Sequence, residues 1–255
     1  MPFLVFAYFL SLYIVSMDKQ SVSVIIPTLN EEKHIGRVLD DIVSQTHKVD
    51  EVLVVDGGSS DATLQEVLKY PHVTLLKSNN PVARQRNKGG NSAKGEIVFF
   101  LDADVRLKNY TIEKLVGEFT KRNLDIACPF YLPYKSTWFI TCIYGLFSLI
   151  FVLFQRIAPS GAGSAILVKK ELFQKSKGFP EDMTYDDIAF IRAAAKGNRF
   201  GTLSTKVYVS DRRFKQYGSI KMLGIYLLLS VFFLLGLFRF ANIITYPFSQ
   251  YTKNK

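Results

Sequence analysis

Apolar and polar positions along this chain follow two different periods. From Ser21 the run SVSVIIPT is apolar, β-branched and closed by a proline, which predicts a buried strand. Ile35, Val38, Leu39, Ile42 and Val43 then recur at the spacing of one helix face. EVLVVD (51–56) predicts a second buried strand, and GGSSDAT after it predicts a turn leading into a helix cap. VTLLKS (73–78) and EIVFFLDAD (96–104) predict a third and a fourth strand. Strands alternating with helices imply an α/β fold, with a mixed, mainly parallel sheet covered on both faces. In such sheets ligands bind beyond the carboxyl ends of the strands. Asp56, Asp102 and Asp104 fall at such ends.

Other stretches carry no formal charge. Residues 3–16 (FLVFAYFLSLYIVS) would make a helix of about 21 Å, short of a membrane span. The segment 1–17 is expected to be an anchor, or a stretch ahead of a true start at Met17; the basic n-region of a signal peptide is missing. Ser136–Gln155 is twenty residues without a charge, and Met222–Phe238 is seventeen more. The second is preceded by Arg212, Arg213, Lys215 and Lys221 and followed by Arg239. Both predict membrane-associated apolar helices, either spans or helices lying in the interface. A full span at 136–155 would put two halves of one domain on opposite sides of a bilayer, so an interfacial helix is expected there. The expected layout is therefore the segment 1–17, a domain over 21–210, and a basic segment with a C-terminal membrane helix over 211–255.

The 255 residues carry a net charge of +10, with 21% charged and 48% hydrophobic. That apolar content excludes a disordered chain. A basic balance suits nucleic acid, anionic lipid or phosphorylated small molecules. No nucleic-acid recognition motif is present, so no nucleic-acid partner is expected. The charge-free stretches favour membrane lipids. Cys128 and Cys142 make neither a disulfide framework nor a zinc site, and are read as reduced packing residues in a cytosolic setting.

The strongest chemical signal is FFLDADV (99–105). Two carboxylates two residues apart at a strand end point the same way. They can share Mg2+ or Mn2+, hard cations that prefer oxygen ligands. Such a cation would bridge a diphosphate and neutralise a leaving group; the alternative is a plain acidic turn. PTLNEE (27–32) can line a pocket for a base. In VVDGGSSDAT (54–63), Asp56 can accept a hydrogen bond from a base or ribose, while Gly57 and Gly58 allow close approach. A turn with a helix cap at Ser60 or Asp61 is the plainer account. ARQRNKGG (83–90) places Arg84, Arg86 and Lys88 near a predicted phosphate site, with one or two of them expected in solvent.

In this order and spacing, the four segments resemble the family 2 glycosyltransferases with their GT-A fold, over about residues 21–210. The resemblance implies a Rossmann-like nucleotide-binding sheet and a nucleotide-diphosphate sugar donor. It implies that Pro27, Thr28, Glu31 and Asp56 contact the nucleoside, that Arg84 lies near it, that Asp102 faces the ribose side, and that Asp104, with Asp102, holds the metal. The acceptor-side parts are SGAGSAILVKKELF, KGFPED and TYDDIAFIRAAAKG. YDDIAFIR looks like the family's YED-type segment, with Asp186 in place of glutamate and Asp187 as the catalytic base. A register one residue over makes Asp186 the base; a helix N-terminus also attracts acids without catalysis. TKVYVSDRRFKQYG before an apolar helix resembles bacterial and archaeal members with a C-terminal membrane element. That implies Arg212 and Arg213 at the active-site mouth, gripping the donor diphosphate or a lipid phosphate. Positive-inside anchoring is the alternative.

The implied activity is inverting hexosyl transfer to a lipid-linked or saccharide acceptor, with the catalytic domain on the cytoplasmic side of the cell membrane. A polyprenyl-phosphate glycosyltransferase making a lipid-phosphate sugar is one alternative, and a non-catalytic sugar-nucleotide-binding membrane protein is another. A nucleotidyltransferase would place a glycine-rich basic loop after the first strand, where PTLNEE stands.

Overall fold

The computed structural model describes residues 20–237. The expected N-terminal segment 1–17, and everything from Phe238 onward, lie outside the described residues. The first half alternates as its pattern requires: β1 (Val22–Thr28), α1 (Ile35–Val43), β2 (Glu51–Asp56), α2 (Thr63–Val67), β3 (Val73–Lys77), α3 (Val82–Ser92), β4 (Ile97–Leu101) and α4 (Thr111–Lys121). Then come β5 (Ile126–Pro133), α5 (Trp138–Phe154), β6 (Ala165–Lys169), α6 (Lys170–Lys175), α7 (Asp186–Ala195), β7 (Phe200–Val209), α8 (Arg212–Tyr217) and α9 (Ser219–Leu234).

The strands form one seven-stranded sheet in the order β3-β2-β1-β4-β6-β5-β7. The pairs β1–β2, β1–β4, β2–β3 and β5–β7 are parallel. β6 runs antiparallel to both β4 and β5, so the sheet is mixed, with its reversal at β6. Every residue of β1 and β4 is buried, as expected of central strands covered on both faces. Helix α1 turns Ile35, Val38, Leu39 and Ile42 onto the sheet and leaves Val43 exposed. Helix α3 lies close on β1 and β2 because Gly89 carries no side chain. A Cβ there would stand 2.3 Å from the Ile25 side chain and 3.0 Å from that of Val55.

The fourth strand is shorter than its pattern suggested. It ends at Leu101, and both carboxylates of the D-A-D run fall in the turn beyond it. The Asp102 N–H donates to the Ser164 carbonyl at 3.0 Å, and the Val105 N–H returns to the Asp102 carbonyl at 3.2 Å.

The two apolar stretches are covering layers of this domain. Among the described residues no helix is long and apolar enough to cross a membrane, so the expected transmembrane helix has no support there; the rest of the segment 211–255 lies outside them. Helix α5 has 17 residues and α9 has 16. α5 buries Ile140, Ile143, Phe147 and Ser148. The Ser148 hydroxyl accepts from the Tyr131 N–H at 3.0 Å and donates to the Tyr131 carbonyl at 2.9 Å, which pins the helix to β5. α9 packs Met222 against α5, and Leu229 and Phe233 beside Ile188 of α7.

Candidate active site

Two loops form the rim at the carboxyl ends of β1 and β2. Thr28 pairs in register with Asp56, and the Gly57 N–H donates to the Thr28 carbonyl at 2.8 Å. The Asn30 N–H donates to Ser59 Oγ at 3.0 Å, and the Ser60 N–H returns to Asn30 Oδ1 at 2.8 Å. Pro27 and Thr28 are buried beneath this rim. Asp56 is buried too, and its carboxylate accepts from the Gly58 N–H at 2.9 Å and from the N–H and hydroxyl of Ser59. Asp56 thus braces the GGSS turn, and the N-cap of the helix that follows is Ala62, which gives no side-chain cap, and not Ser60 or Asp61.

A second layer holds the carboxylates. Arg86, on the inner face of α3, is buried. Its Nη1 donates to Asp186 at 2.8 Å and its Nη2 to Asp102 at 3.1 Å and to the Gly163 carbonyl at 3.4 Å. The guanidinium also lies 5.4 Å from the Phe179 ring centre. Burial alone would lower the Arg86 pKa, but the fields of Asp186 and Asp102 outweigh it and raise it. Burial pushes the Asp186 carboxyl up, against the pull of Arg86.

The neighbouring Asp187 is held differently. Its Oδ2 accepts from the Gly163 N–H at 2.6 Å and its Oδ1 from the Ile188 N–H at 2.8 Å. Gly163 is required here, since a Cβ would stand 2.7 Å from Arg86 Nη2 and 3.0 Å from Asp187. The hydroxyl of Tyr131 fixes the same loop: its one hydrogen lies between the Ala162 and Ala165 carbonyls, 2.9 and 2.8 Å away, and its oxygen accepts from the Ala162 N–H at 3.2 Å.

At the mouth, Arg212 bridges two acids from different loops. Its Nη1 lies 3.0 Å from Glu31 and its Nε 3.2 Å from Asp104. Burial raises Glu31 to about 7, with Arg212 opposing. Burial likewise raises Asp104, again against Arg212.

One cleft joins these groups. Asp102, Asp104, Asp187, Arg212 and Arg213 line it, while Asp186 sits behind, under Arg86. Its far wall is apolar: Ile143, Phe147 and Phe151 from α5, and Tyr226, Leu229 and Phe233 from α9. Arg84 stands apart from this cleft. It is exposed, pairs with Glu181 at 2.8 Å, and shares a separate depression with Lys77 and Lys88. The arginine that reaches the carboxylates is thus Arg86. A signal for this was present: Arg86 falls three residues after Ala83 and four before Gly90, on the small-residue face that meets the sheet.

The carboxylates suit a hard divalent cation. Mg2+ is commonly held by one or two carboxylates together with substrate phosphates. Asp102 and Asp104 provide two oxygen donors in one turn, and no cluster of three or more His, Cys, Asp or Glu is gathered for a metal among the described residues.

A mixed sheet of seven strands, with its carboxylates at the ends of parallel strands, defines an α/β protein of the GT-A type. Residues 23–175 match Glycosyl transferase family 2, and the chain belongs to that family. It is 25% identical over 221 residues to the cholesterol galactosyltransferase of Borreliella burgdorferi, covering 77% of this chain and 62% of that relative. It superposes with a TM-score of 0.64 on the mannosyltransferase PcManGT from Pyrobaculum calidifontis, solved with GDP-Man and Mn2+, at 25% identity over 76% of this chain and 58% of that one. S. aureus TarS shares the fold at a TM-score of 0.62 and 23% identity, over 82% of this chain and 40% of TarS. The chain therefore spans less than two thirds of the length of each of these proteins.

Proposed function

We propose that this protein transfers a hexose from a nucleotide-diphosphate donor to a lipid-linked or saccharide acceptor, with inversion at the anomeric carbon. The observation that carries the proposal is the placement of Asp187 in the same cleft as Asp102 and Asp104, its carboxylate held by two backbone N–H groups. Asp187 takes the proton of the acceptor hydroxyl as that oxygen bonds to the anomeric carbon. The anomeric C–O bond to the diphosphate breaks, and its electron pair leaves with the nucleotide. Asp104 and Asp102 would hold Mg2+ or Mn2+, which would supply charge neutralisation for the departing diphosphate. Arg212 and Arg213, at the cleft mouth, add fixed positive charge toward the same phosphates. Pro27, Thr28, Glu31 and the Asp56 turn form the floor for the nucleoside.

Two comparisons support this: a relative named as a galactosyltransferase, and a solved mannosyltransferase that holds GDP-Man and Mn2+. Nucleotide sugars are cytosolic, so the domain works on the cytoplasmic side of the cell membrane. There α5 and α9 lie against membrane lipids. The deciding experiment incubates the full chain and Mn2+ with a panel of UDP- and GDP-sugars and membrane extract, and measures labelled product. Transfer from one donor, absent with chelator, is expected; no transfer from any donor overturns the proposal.

A further inference from the structure

The acceptor end of the cleft is built of a different material from the donor end. Three of its wall residues, Ile143, Phe147 and Phe151, come from α5, and Tyr226, Leu229 and Phe233 come from α9. Two of the hydroxyls on the α5 side of this wall are engaged within the protein, which leaves those of Tyr226 and Ser230 as the polar points of the α9 side. Ser148 exchanges hydrogen bonds with the Tyr131 backbone, and Tyr144 donates to the Ser210 carbonyl at 3.2 Å. A saccharide seated there would bury its hydroxyls against carbon, and each unpaired hydroxyl costs free energy. A hydrocarbon chain would lose nothing by the same burial.

The same two helices turn large apolar residues outward. Leu149 and Leu153 of α5 and Leu228 and Val231 of α9 are exposed at 47%, 67%, 47% and 50%. Large apolar residues exposed one helical turn apart on each of two neighbouring helices are the kind of surface that meets partners or membranes. Four exposed cations flank the two helices in sequence: Lys135 and Arg156 around α5, Lys215 before α9, and Lys221 within its first turn. Apolar side chains with basic neighbours match an anionic leaflet.

We infer that the acceptor is borne on a long apolar chain, which reaches Asp187 between α5 and α9 with its tail against their inner faces. This rests on the reading of Asp187 as the acceptor-side base, and it names the acceptor class that reading leaves open. The two helices would lie in the leaflet surface. The acceptor head would then meet Asp187 and Arg213 while its tail stays in apolar surroundings. For a hydroxyl head the proton and the leaving group move as in the transfer already described; an ionised phosphate head has no proton to give up, so its oxygen bonds to the anomeric carbon directly while the nucleotide diphosphate leaves with the electron pair.

The test uses the full chain on vesicles of phosphatidylcholine and phosphatidylglycerol. The vesicles carry either a photoreactive hexadecanol or a photoreactive hexadecyl phosphate, which separates hydroxyl from phosphate heads. Irradiation should label peptides containing Phe147 and Leu229, and excess unlabelled probe should compete. Phe147→Trp, and separately Leu229→Trp, should each fill the passage and reduce that labelling several-fold. Melting of each variant, with and without UDP or GDP and Mn2+, identifies any that fails to fold. Labelling confined to the outward residues, or none with either probe, overturns the inference. Failure of UDP and GDP to bind would count against the transfer reading alone, since the labelling needs no donor.

Discussion

The cleft has two ion-paired ends, and they differ in how far water reaches the arginine. At the Arg86 end, the side chains of Arg86 and Asp186 are 6% and 7% exposed. At the Arg212 end the arginine is 44% exposed, although its partner Glu31 is buried at 5%. Arg86 stands on an eleven-residue helix pressed to the sheet, and Arg212 on a six-residue helix at the rim. A buried pair of this kind is part of the frame, because removing one member strands the other in a low-dielectric interior. A half-exposed arginine can exchange one anion for another at small cost. The comparison teaches that the first arginine is fixed among buried carboxylates, while the second, paired with Glu31 and Asp104, is the one that solvent reaches.

The largest effect should come from breaking the buried end. Arg86→Leu leaves Asp186 without its partner, and should cost about 3–5 kcal/mol of stability. Chemical denaturation of the full chain measures this. A loss no larger than that of an exposed substitution would show that Arg86 does not hold the frame.

Next is the acid beside it. Asp187→Asn keeps the shape and removes the proton acceptor. It should lower turnover by about a hundredfold or more while nucleotide binding persists. If Asp186→Asn has that effect and Asp187→Asn does not, the base is the buried acid, and the contrast drawn between neighbouring residues fails.

The two ends also differ in how legible they were in sequence. β1, β2 and β3 fall within a residue or so of their apolar runs, because a buried parallel strand announces itself by unbroken β-branched residues. The D-A-D pair was placed at the correct end of β4, though in the turn beyond it. Strand β5 was missed. Its sequence IACPFYLP holds two prolines, and the ladder to β7 shifts register between Cys128 and Phe130, around Pro129, which has no N–H to give. Arg84 and Arg86 stand two residues apart on α3 and so face different ways, one exposed beside Glu181 and one buried beside Asp186, which the ARQRNKGG segment alone does not separate. The bond from Arg212 to Glu31 spans 181 residues, and no pattern within a window of the chain encodes it. Whether the apolar stretches span a bilayer or lie on it was not legible for a related reason: apolar length counts the same whether a helix covers a sheet or contacts a bilayer.

Glu31 sharpens the comparison through pH. Its carboxyl rises from 4.5 to about 7 in the folded protein, mainly through burial. Between those values the folded protein binds the proton and the unfolded chain does not. Stability therefore falls as pH rises through that window. Glu31→Gln cannot lose a proton, so its profile should be flatter. The difference should accumulate to on the order of 2–3 kcal/mol between pH 4.5 and 7. Denaturation in chelator at several pH values reads it, and parallel profiles for the two proteins would remove the buried-acid account of this end.

The smallest effect lies furthest from the chemistry, on the outside of the acceptor half. Lys221 is exposed in the first turn of α9, beside the apolar face assigned to the leaflet. A lysine near an anionic surface contributes on the order of 1 kcal/mol, through a field that dies within a Debye length. Lys221→Gln should weaken binding to phosphatidylglycerol vesicles by roughly fivefold at low salt, and the difference should vanish as salt is raised. The intact protein should nonetheless stay on the vesicles at high salt, because the exposed leucines of α5 and α9 lose their contact with water whatever the ionic strength. The two halves of this result separate two causes. Release of the intact protein by salt alone would mean that charge, with no apolar insertion, carries the contact. No vesicle binding at any salt would leave the outward faces of α5 and α9 to another protein surface.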